Sequence, residues 1–200
     1  MSVIDDPGSA FDLTVPVVVI GGGACGLVAA LSAHDNGAEV IVLERDPVPK
    51  GSTALSSGMI TACGTALQKA ADIDDDTAEL FARDIQSKAG GKADPHLLAA
   101  ICAGSGPAID WLIECHNMDL VLVDGPPYPG HSRQRTHAPP TNSGADLMAD
   151  LLRAVDAAHI DVICNATVKE LIVDGDKVSG VVITRPDGSS ERLGCQTLVL

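Results

Sequence analysis

The sequence predicts an α/β fold in which a mostly parallel sheet with helices is joined by an antiparallel β-meander. An apolar, β-branched run over 15–20 precedes a glycine-rich turn, an Ala/Leu-rich helical stretch and a second apolar run over 38–43. Short apolar segments separated by turn residues fill 166–193, as expected for three antiparallel strands. A last apolar run over 197–200 has the composition of another buried strand.

Composition limits the possible functions. With 46% hydrophobic residues, the 200-residue chain can bury a real core, and its net charge of −14 argues against nucleic acid or anionic membrane as a partner. No uninterrupted apolar run approaches the ~20 residues of a membrane span, and the acidic first residues lack a signal pattern. The six cysteines contain no C-x-x-C pair, so neither a disulfide framework nor a metal site is expected. We therefore expect a cytoplasmic protein.

The first apolar run leads into a G-x-G-x-x-G motif, and the second run ends at an acid. Glycines in this motif let backbone N–H groups approach a pyrophosphate at a helix N-terminus, and the acid can hold a ribose hydroxyl. Glu44 followed by Arg45 argues for a free 2′-hydroxyl, hence FAD or NAD rather than NADP. The predicted dinucleotide-binding residues of this unit are Gly21, Gly23, Ala24, Cys25, Gly26, Glu44 and Arg45. We interpret Cys25 as a small residue that fills the loop, with a redox role as the alternative.

Residues 1–13 form a polar lead that we expect to be mobile, outside a domain over 14–200. Residues 51–65 (GSTALSSGMITACGT) carry no charge. Two interpretations stay open for them: close backbone approach to something flat or phosphorylated, or a tightly packed turn and helix start.

Helices are predicted over 77–85, 94–103, 108–115 and 144–158, with a break at the Gly-Ser-Gly-Pro sequence of 104–107. The acidic residues between 72 and 76 are interpreted as a solvated helix start.

A long proline-rich loop over 124–142 carries four basic or titratable residues, His131, Arg133, Arg135 and His137. This cluster suits an anionic ligand or a proton relay, and the alternative is a solvated loop with ordinary salt bridges. Two histidines without a third ligand do not predict a metal site. Because the ligand in an α/β sheet lies beyond the carboxyl ends of the strands, and no turn follows Leu200, we expect the chain to be a fragment of a longer protein.

The order of these features resembles one family. The opening unit, the GSTALSSGMI stretch, the RTH segment followed by a GADL helix, and the meander before TLVL resemble the FAD-binding domain of the fumarate reductase/succinate dehydrogenase flavoprotein superfamily. Flavocytochrome-type fumarate reductases and ketosteroid dehydrogenases are the most similar members. The resemblance implies a Rossmann-like fold that is incomplete at its C-terminus, because the cap domain and the second flavin-binding segment lie beyond the equivalent of Leu200.

The resemblance also implies site residues. It assigns the glycines to the pyrophosphate, Glu44 to the adenosine ribose and Arg45 to the neighbourhood of the adenine. It also places Gly51, Ser52 and Thr53 near the phosphate and the ribityl chain. It places Ser57, Gly58 and Met59 beside the flavin ring, and Val168 at the adenine. Lys50 stands where the family usually has glycine. No catalytic residue is carried over, and the loop residues 131–137 are candidates for the substrate side only.

The function implied is a flavin-dependent oxidoreductase acting on C=C or CH–CH bonds of a small carboxylate or ketosteroid-like substrate, with an unspecified electron partner. The fragment alone is expected to be inactive. Two alternatives remain at this point: an NAD- or ADP-ribose-binding module, and an inert fragment.

Overall fold

A computed structural model describes all residues, 1–200. The chain forms two compact units, one built from residues 1–53 and 151–200 and the other from residues 54–150. The strands are β1 (Ser2–Asp5), β2 (Leu13–Ile20), β3 (Val40–Leu43), β4 (Ile60–Thr61), β5 (Val121–Leu122), β6 (Thr136–Ala138), β7 (Asp161–Ile163), β8 (Thr167–Asp174), β9 (Lys177–Thr184) and β10 (Ser190–Val199). The helices are α1 (Ala24–Asp35), α2 (Ala66–Ala70), α3 (Ala78–Lys88), α4 (Pro95–His116) and α5 (Gly144–Ala157).

The first unit is organised by a seven-stranded sheet in the order β1-β8-β9-β10-β2-β3-β7. The strands β10, β2, β3 and β7 are parallel neighbours, while β8, β9 and β10 form an antiparallel meander. Branched residues fill the centre of the sheet, and Val18 and Val42 have no exposed surface. The predicted combination of parallel sheet and meander is confirmed.

The end of the meander differs from the sequence prediction. Two separate strands were expected, one closing the meander and one apolar run over 197–200. The structure has a single strand, β10, which pairs antiparallel with β9 in its first half and parallel with β2 from Leu193 onward. Gly194 allows this double pairing, because a Cβ there would lie 2.4 Å from the Thr14 hydroxyl oxygen and 2.9 Å from the Phe11 ring.

The structure places a strand in the first part of the lead over residues 1–13, and the mobility of this lead stays a prediction. Ser2–Asp5 form β1, which runs parallel to β8 in register from Ser2 opposite Glu170. The Asp6 N–H donates to the Val173 carbonyl at 3.0 Å, and the Asp6 carboxylate pairs with Arg192. The strand was missed because its four residues include only two apolar ones, Val3 and Ile4, too few for a strand pattern without the partner strand.

The second unit combines helices with a three-stranded sheet in the order β4-β6-β5. Phe81 of α3 packs with Leu98 and Cys102 of α4 and with Cys63. The predicted break at 104–107 is wrong, since α4 runs unbroken through Pro107 to the left-handed Asn117. Gly106 is needed there because a Cβ would lie 2.1 Å from the Cys63 carbonyl oxygen, so the packing of chain against helix overrides the local signal.

The continuous helix α4 also changes the membrane analysis. Its 22 residues include an 18-residue window with a mean hydropathy of 1.3, so the helix meets the length and composition of a membrane span, which the sequence analysis did not expect. Only 22% of that window is buried within the structure. Core helices of soluble proteins meet the same two criteria, so the finding is weak support for a membrane role.

Candidate cofactor-binding site

The glycine-rich turn of the first unit is built by close backbone approach. Gly21 has a φ of +105°, a conformation that favours glycine, and its N–H donates to the Leu43 carbonyl at 2.8 Å. A Cβ at Gly26 would lie only 1.9 Å from the Gly21 carbonyl oxygen. The chain can therefore turn directly from β2 into α1 only with glycine at both positions.

The N-terminus of α1 opens beside this turn without a side-chain cap. Gly23 is the N-cap residue and offers no side-chain acceptor. One protein acceptor reaches the first turn, the Thr53 hydroxyl oxygen, at 3.2 Å from the Ala24 nitrogen. Uncapped N–H groups at a helix N-terminus, with its partial positive charge, suit a phosphate group.

Glu44 lies at the carboxyl end of β3 with only 8% of its surface exposed. Its Oε2 accepts from the Gly22 N–H and its Oε1 from the Asp46 N–H, both at 2.8 Å. Each carboxylate oxygen can accept more than one hydrogen bond, so both retain capacity for a ribose hydroxyl. The backbone thus orients the carboxylate that the sequence predicted for ribose binding.

A cavity of about 400 Å³ lies over these groups. Its walls combine backbone of the glycine turn, the Glu44 carboxylate and apolar side chains that can pack against a flat base. The lining residues are Ile20, Gly21, Gly23, Leu43, Glu44, Arg45, Asp46, Gly51, Ala166, Thr167 and Val168. The position beyond the carboxyl ends of β2 and β3, together with the glycine cradle, fits the adenosine diphosphate half of a dinucleotide.

The structure thus brings six predicted residues into one cavity: Gly21, Gly23, Glu44, Arg45, Gly51 and Val168. Gly26 acts behind the turn, and Ala24 and Thr53 hydrogen bond to each other, whereas Cys25 and Ser52 are exposed. The sequence analysis missed Gly22 and Asp46, whose N–H groups hold the carboxylate of Glu44. Gly22 could have been found as the residue between the first two motif glycines, but nothing in the sequence signals Asp46.

The turn at Ser57, Gly58 and Met59 belongs to the second unit. Gly58 is buried with a φ of +67°, and a Cβ there would lie 2.8 Å from the Ser143 carbonyl oxygen. Ser57 and Met59 on either side are exposed. The predicted contact of this turn with the cofactor stays a prediction. At the far end of the charge-free stretch Thr65 caps α2 with a capping box, as the alternative of a packed helix start predicted.

The loop residue Arg135 is not available to an anionic ligand, because it has no exposed surface. Its guanidinium makes a bidentate pair with Asp76, with the shortest contact from Nη2 to Oδ1 at 2.6 Å, and it donates from Nη1 to Asp84 at 2.6 Å. The Phe81 ring lies 4.7 Å from the guanidinium carbon. Asp76 is 4% exposed, so the interpretation of 72–76 as a solvated helix start is wrong at this residue.

The contact with Arg135 also changes the pKa of Asp84. Burial alone would raise its pKa, but hydrogen bonds from Arg135 and Ser132 lower the pKa to about 2. Arg133, by contrast, forms an exposed pair with Asp75, as the alternative of ordinary loop salt bridges predicted.

The two loop histidines have different surroundings. His137 is fully buried, and burial lowers its pKa below the ordinary value. His131 lies between the rings of Phe81 and Tyr128 and lines a separate cavity of about 310 Å³ with Tyr128 and Lys88. Burial, and then Arg135, lower the pKa of His131 as well. Neither histidine has the partners of a metal ligand, and no group of three or more His, Cys, Asp or Glu could hold a metal ion.

The fold and the cavity agree with comparisons to known proteins. The chain is 36% identical over 167 residues to the NADH:fumarate oxidoreductase of Klebsiella pneumoniae strain 342, covering 82% of this chain and 18% of that protein. It superposes on the open conformation of a flavocytochrome c3 fumarate reductase with a TM-score of 0.86 and 29% identity, over 96% of this chain and 34% of that one.

A 3-ketosteroid-Δ4-(5α)-dehydrogenase from Rhodococcus jostii RHA1 matches with a TM-score of 0.77 and 25% identity, over 96% of this chain and 46% of that one. The chain therefore spans between about a fifth and a half of the length of these proteins. The sequence profile of the FAD binding domain matches residues 16–198. The chain belongs to this FAD-binding family, and its cofactor is FAD.

Proposed function

We propose that the chain is the FAD-binding part of an oxidoreductase that transfers hydride between the flavin and a carbon–carbon double or single bond of a small carboxylate or ketosteroid-like molecule. FAD supplies the hydride chemistry when bound, and the protein supplies binding and orientation. The single observation that carries the proposal is the cavity of the first unit, with its glycine turn, uncapped helix and backbone-held Glu44. Similarity to fumarate reductases and to a ketosteroid dehydrogenase supports the substrate class.

Different residues of the cavity bind different parts of the cofactor. The α1 N-terminus and the Gly21–Gly26 turn hold negative charge by backbone donors, without a lysine or arginine in the turn. The carboxylate of Glu44 accepts from the ribose, and its two backbone N–H partners prevent it from rotating away. The walls formed by Ile20, Leu43 and Val168 exclude water from one face of the base.

A module for NAD or ADP-ribose without flavin chemistry is not favoured. The family match covers the chain nearly end to end, including the charge-free stretch that a module for NAD alone does not need. The NADH:fumarate oxidoreductase relative supports NADH as an electron donor of the whole protein, and the flavocytochrome relative supports a cytochrome as the alternative donor.

The substrate proposal is tested by an anaerobic assay of the complete gene product. Oxidation of reduced methyl viologen by fumarate measures reduction, and reduction of a dye by a 3-ketosteroid measures dehydrogenation. We expect turnover with one of these two substrates and with FAD bound. A yellow protein that turns over neither substrate would contradict the substrate class, and a colourless protein that binds no added FAD would contradict the cofactor.

We also propose that residues 14–200 act as one FAD-binding domain and that the protein is cytoplasmic. The family match over 16–198 supports the first statement. The six free cysteines support the second, because free thiols are usual in reducing compartments. Cell fractionation with an antibody to the chain tests the localisation, and recovery in the periplasmic or membrane fraction would contradict it.

A further inference from the structure

Asn165 connects strands β7 and β8 in a backbone conformation that most residues avoid. Its φ of +53° lies in the left-handed region, where a Cβ crowds the following carbonyl oxygen and asparagine is tolerated better than most residues with a side chain. The other four non-glycine residues with a positive φ each lie within two residues of a helix, whereas Asn165 joins two strands. Its side chain is exposed, so core packing does not explain the conformation, and the reason must lie in its backbone.

The turn at Asn165 holds the chain segment that follows β3. The Glu44 N–H donates to the Ile163 carbonyl at 2.9 Å, just before the turn. Within the turn the Asn165 N–H donates to the Asp46 carbonyl at 3.2 Å, and the Ala166 N–H donates to the Glu44 carbonyl at 2.8 Å. Successive N–H groups converge on one side of the chain in this way when one of the residues is left-handed. The conformation of Asn165 therefore lets two consecutive donors reach the same segment.

This segment also orients the Glu44 carboxylate in the cofactor cavity. The Asp46 N–H donates to Oε1 and the Gly22 N–H to Oε2, both at 2.8 Å. Asp46 thus binds the carboxylate through its N–H and the Asn165 turn through its carbonyl. Burial and then the charge of Glu44 raise the pKa of Cys164, in agreement with a carboxylate close to the turn. If the turn relaxes, Asp46 is released and Oε1 loses this donor.

We propose that Asn165 is a positioning residue for the cofactor, because its left-handed turn holds Asp46 and thereby keeps the Glu44 carboxylate oriented toward the ribose of the ADP half. The proposal rests on the proposed function. Every residue in this series of contacts belongs to the first unit, and Asn165 itself does not line the cavity. A carboxylate that is held before binding loses less side-chain freedom when the ribose arrives, so its hydrogen bond contributes more to affinity.

The test compares two Asn→Val variants of the 200-residue chain. Asn142 is the matched control for Asn165, because it is also exposed and has a φ of +51° but lies in the second unit. A β-branched side chain disfavours the left-handed region, so both variants carry the same kind of strain. NMR titration with ADP measures the affinity, and amide hydrogen exchange of Asp46 in the ligand-free chain measures the positioning.

We expect Asn165→Val to weaken ADP binding by about tenfold, because the turn relaxes in the free chain and binding must restore it. The Asp46 amide should exchange about tenfold faster in the same variant, as for loss of one hydrogen bond. Asn142→Val should change neither quantity. Asn165→Gly should restore both to the wild-type values, since glycine adopts the left-handed conformation without strain.

A double-mutant cycle tests whether Asn165 acts through Glu44. In the Glu44→Ala chain the carboxylate is absent, so adding Asn165→Val should weaken ADP binding by less than about twofold. An undiminished tenfold loss would overturn the proposal, because Asn165 would then hold another part of the cavity. If Asn165→Val fails to fold, Asn165→Ala takes its place with milder strain and an expected loss of about threefold.

Equal losses of ADP affinity in the two Asn→Val variants would also overturn the proposal, since strain anywhere in the chain would then suffice. So would unchanged exchange of the Asp46 amide in Asn165→Val. If the wild-type chain bound no ADP, the proposed function would fail, and the ligand of this proposal with it. If the wild type bound ADP and Asn165→Val bound it equally well, the role of Asn165 alone would fail.

Discussion

The cofactor cavity of the first unit and a buried network of the second unit use polar groups in opposite ways. We call this hydrogen-bonded network the Arg135 network, and its members are Thr65, Gln68, Asp76, Asp84, Arg135 and His137. At the glycine turn of the cavity the donors are backbone N–H groups, and Glu44 is the one buried polar or charged side chain of that unit. In the Arg135 network the charges are side chains that bind one another, so Arg135 has no surface left for a ligand. A site made of backbone can thus be recognised from the spacing of its glycines, whereas the role of a charged side chain depends on partners far away in sequence.

The largest expected effect is on stability and comes from breaking the Arg135 network. Arg135→Met leaves Asp76 buried without its counter-charge, which destabilises the chain by about 3–5 kcal/mol. Arg133→Met is the matched control, because Arg133 lies two residues from Arg135 in the sequence but forms an exposed ion pair. Urea unfolding measures both, and equal midpoints for the two variants would show that Arg135 is an ordinary loop residue.

The next effect concerns the glycine turn. Gly26→Ala places a methyl group against the Gly21 carbonyl oxygen, and relief of this clash displaces the turn. Overpacking of this kind costs about 1–3 kcal/mol, and a cost of this size taken from the free energy of FAD binding is a loss of affinity of about fivefold to 150-fold.

Gly104→Ala is the control for that substitution, since a Cβ at Gly104 meets nothing within 4 Å. It should leave FAD affinity unchanged and stabilise α4 by about 0.5–1 kcal/mol. Isothermal titration measures the FAD affinity of both variants. Unchanged affinity in Gly26→Ala would show that the glycine turn does not hold the cofactor.

A smaller effect is expected from pH. Burial lowers the pKa of His137 in the folded chain, so the unfolded chain binds the proton first as the pH falls below about 6.5. Stability is therefore fully present above that pH and declines below it, by up to about 1.4 kcal/mol between pH 7.5 and 5.5.

His137→Asn should flatten this part of the pH profile, whereas the exposed His96 replaced by Asn should leave it as in the wild type. Urea midpoints at several pH values measure the difference. Identical pH profiles for the wild type and His137→Asn would show that His137 does not cause the pH dependence of stability.

The smallest effect is expected at Arg45. Although Arg45 lines the cavity, its side chain is 74% exposed and pairs only with the neighbouring Asp46. Exposed charges of this kind contribute little, so Arg45→Ala should reduce FAD affinity by less than about threefold. A tenfold loss in the same titration would show that the adenine is held by this guanidinium.

The sequence predicts the parallel sheet, the meander and most of the cavity, because apolar periodicity and glycine spacing are local signals. Prediction from the sequence fails where the structure of a segment depends on a partner that is distant in the sequence. The 104–107 sequence lies inside α4, where Gly106 packs against the Cys63 carbonyl, and Asp76 is buried because it pairs with Arg135, 59 residues further along the chain. Ser2–Asp5 become a strand only because β8 offers an open edge.

The most direct measurement is competition for FAD on the 200-residue chain, followed by flavin fluorescence. ADP carries the half of FAD that the cavity of the first unit fits, and FMN carries the other half. The account predicts that ADP displaces FAD, that FMN does not, and that Glu44→Gln weakens FAD binding about tenfold while the exposed control Glu39→Gln leaves it unchanged. Displacement by FMN but not by ADP, or equal effects of the two Glu→Gln variants, would contradict it.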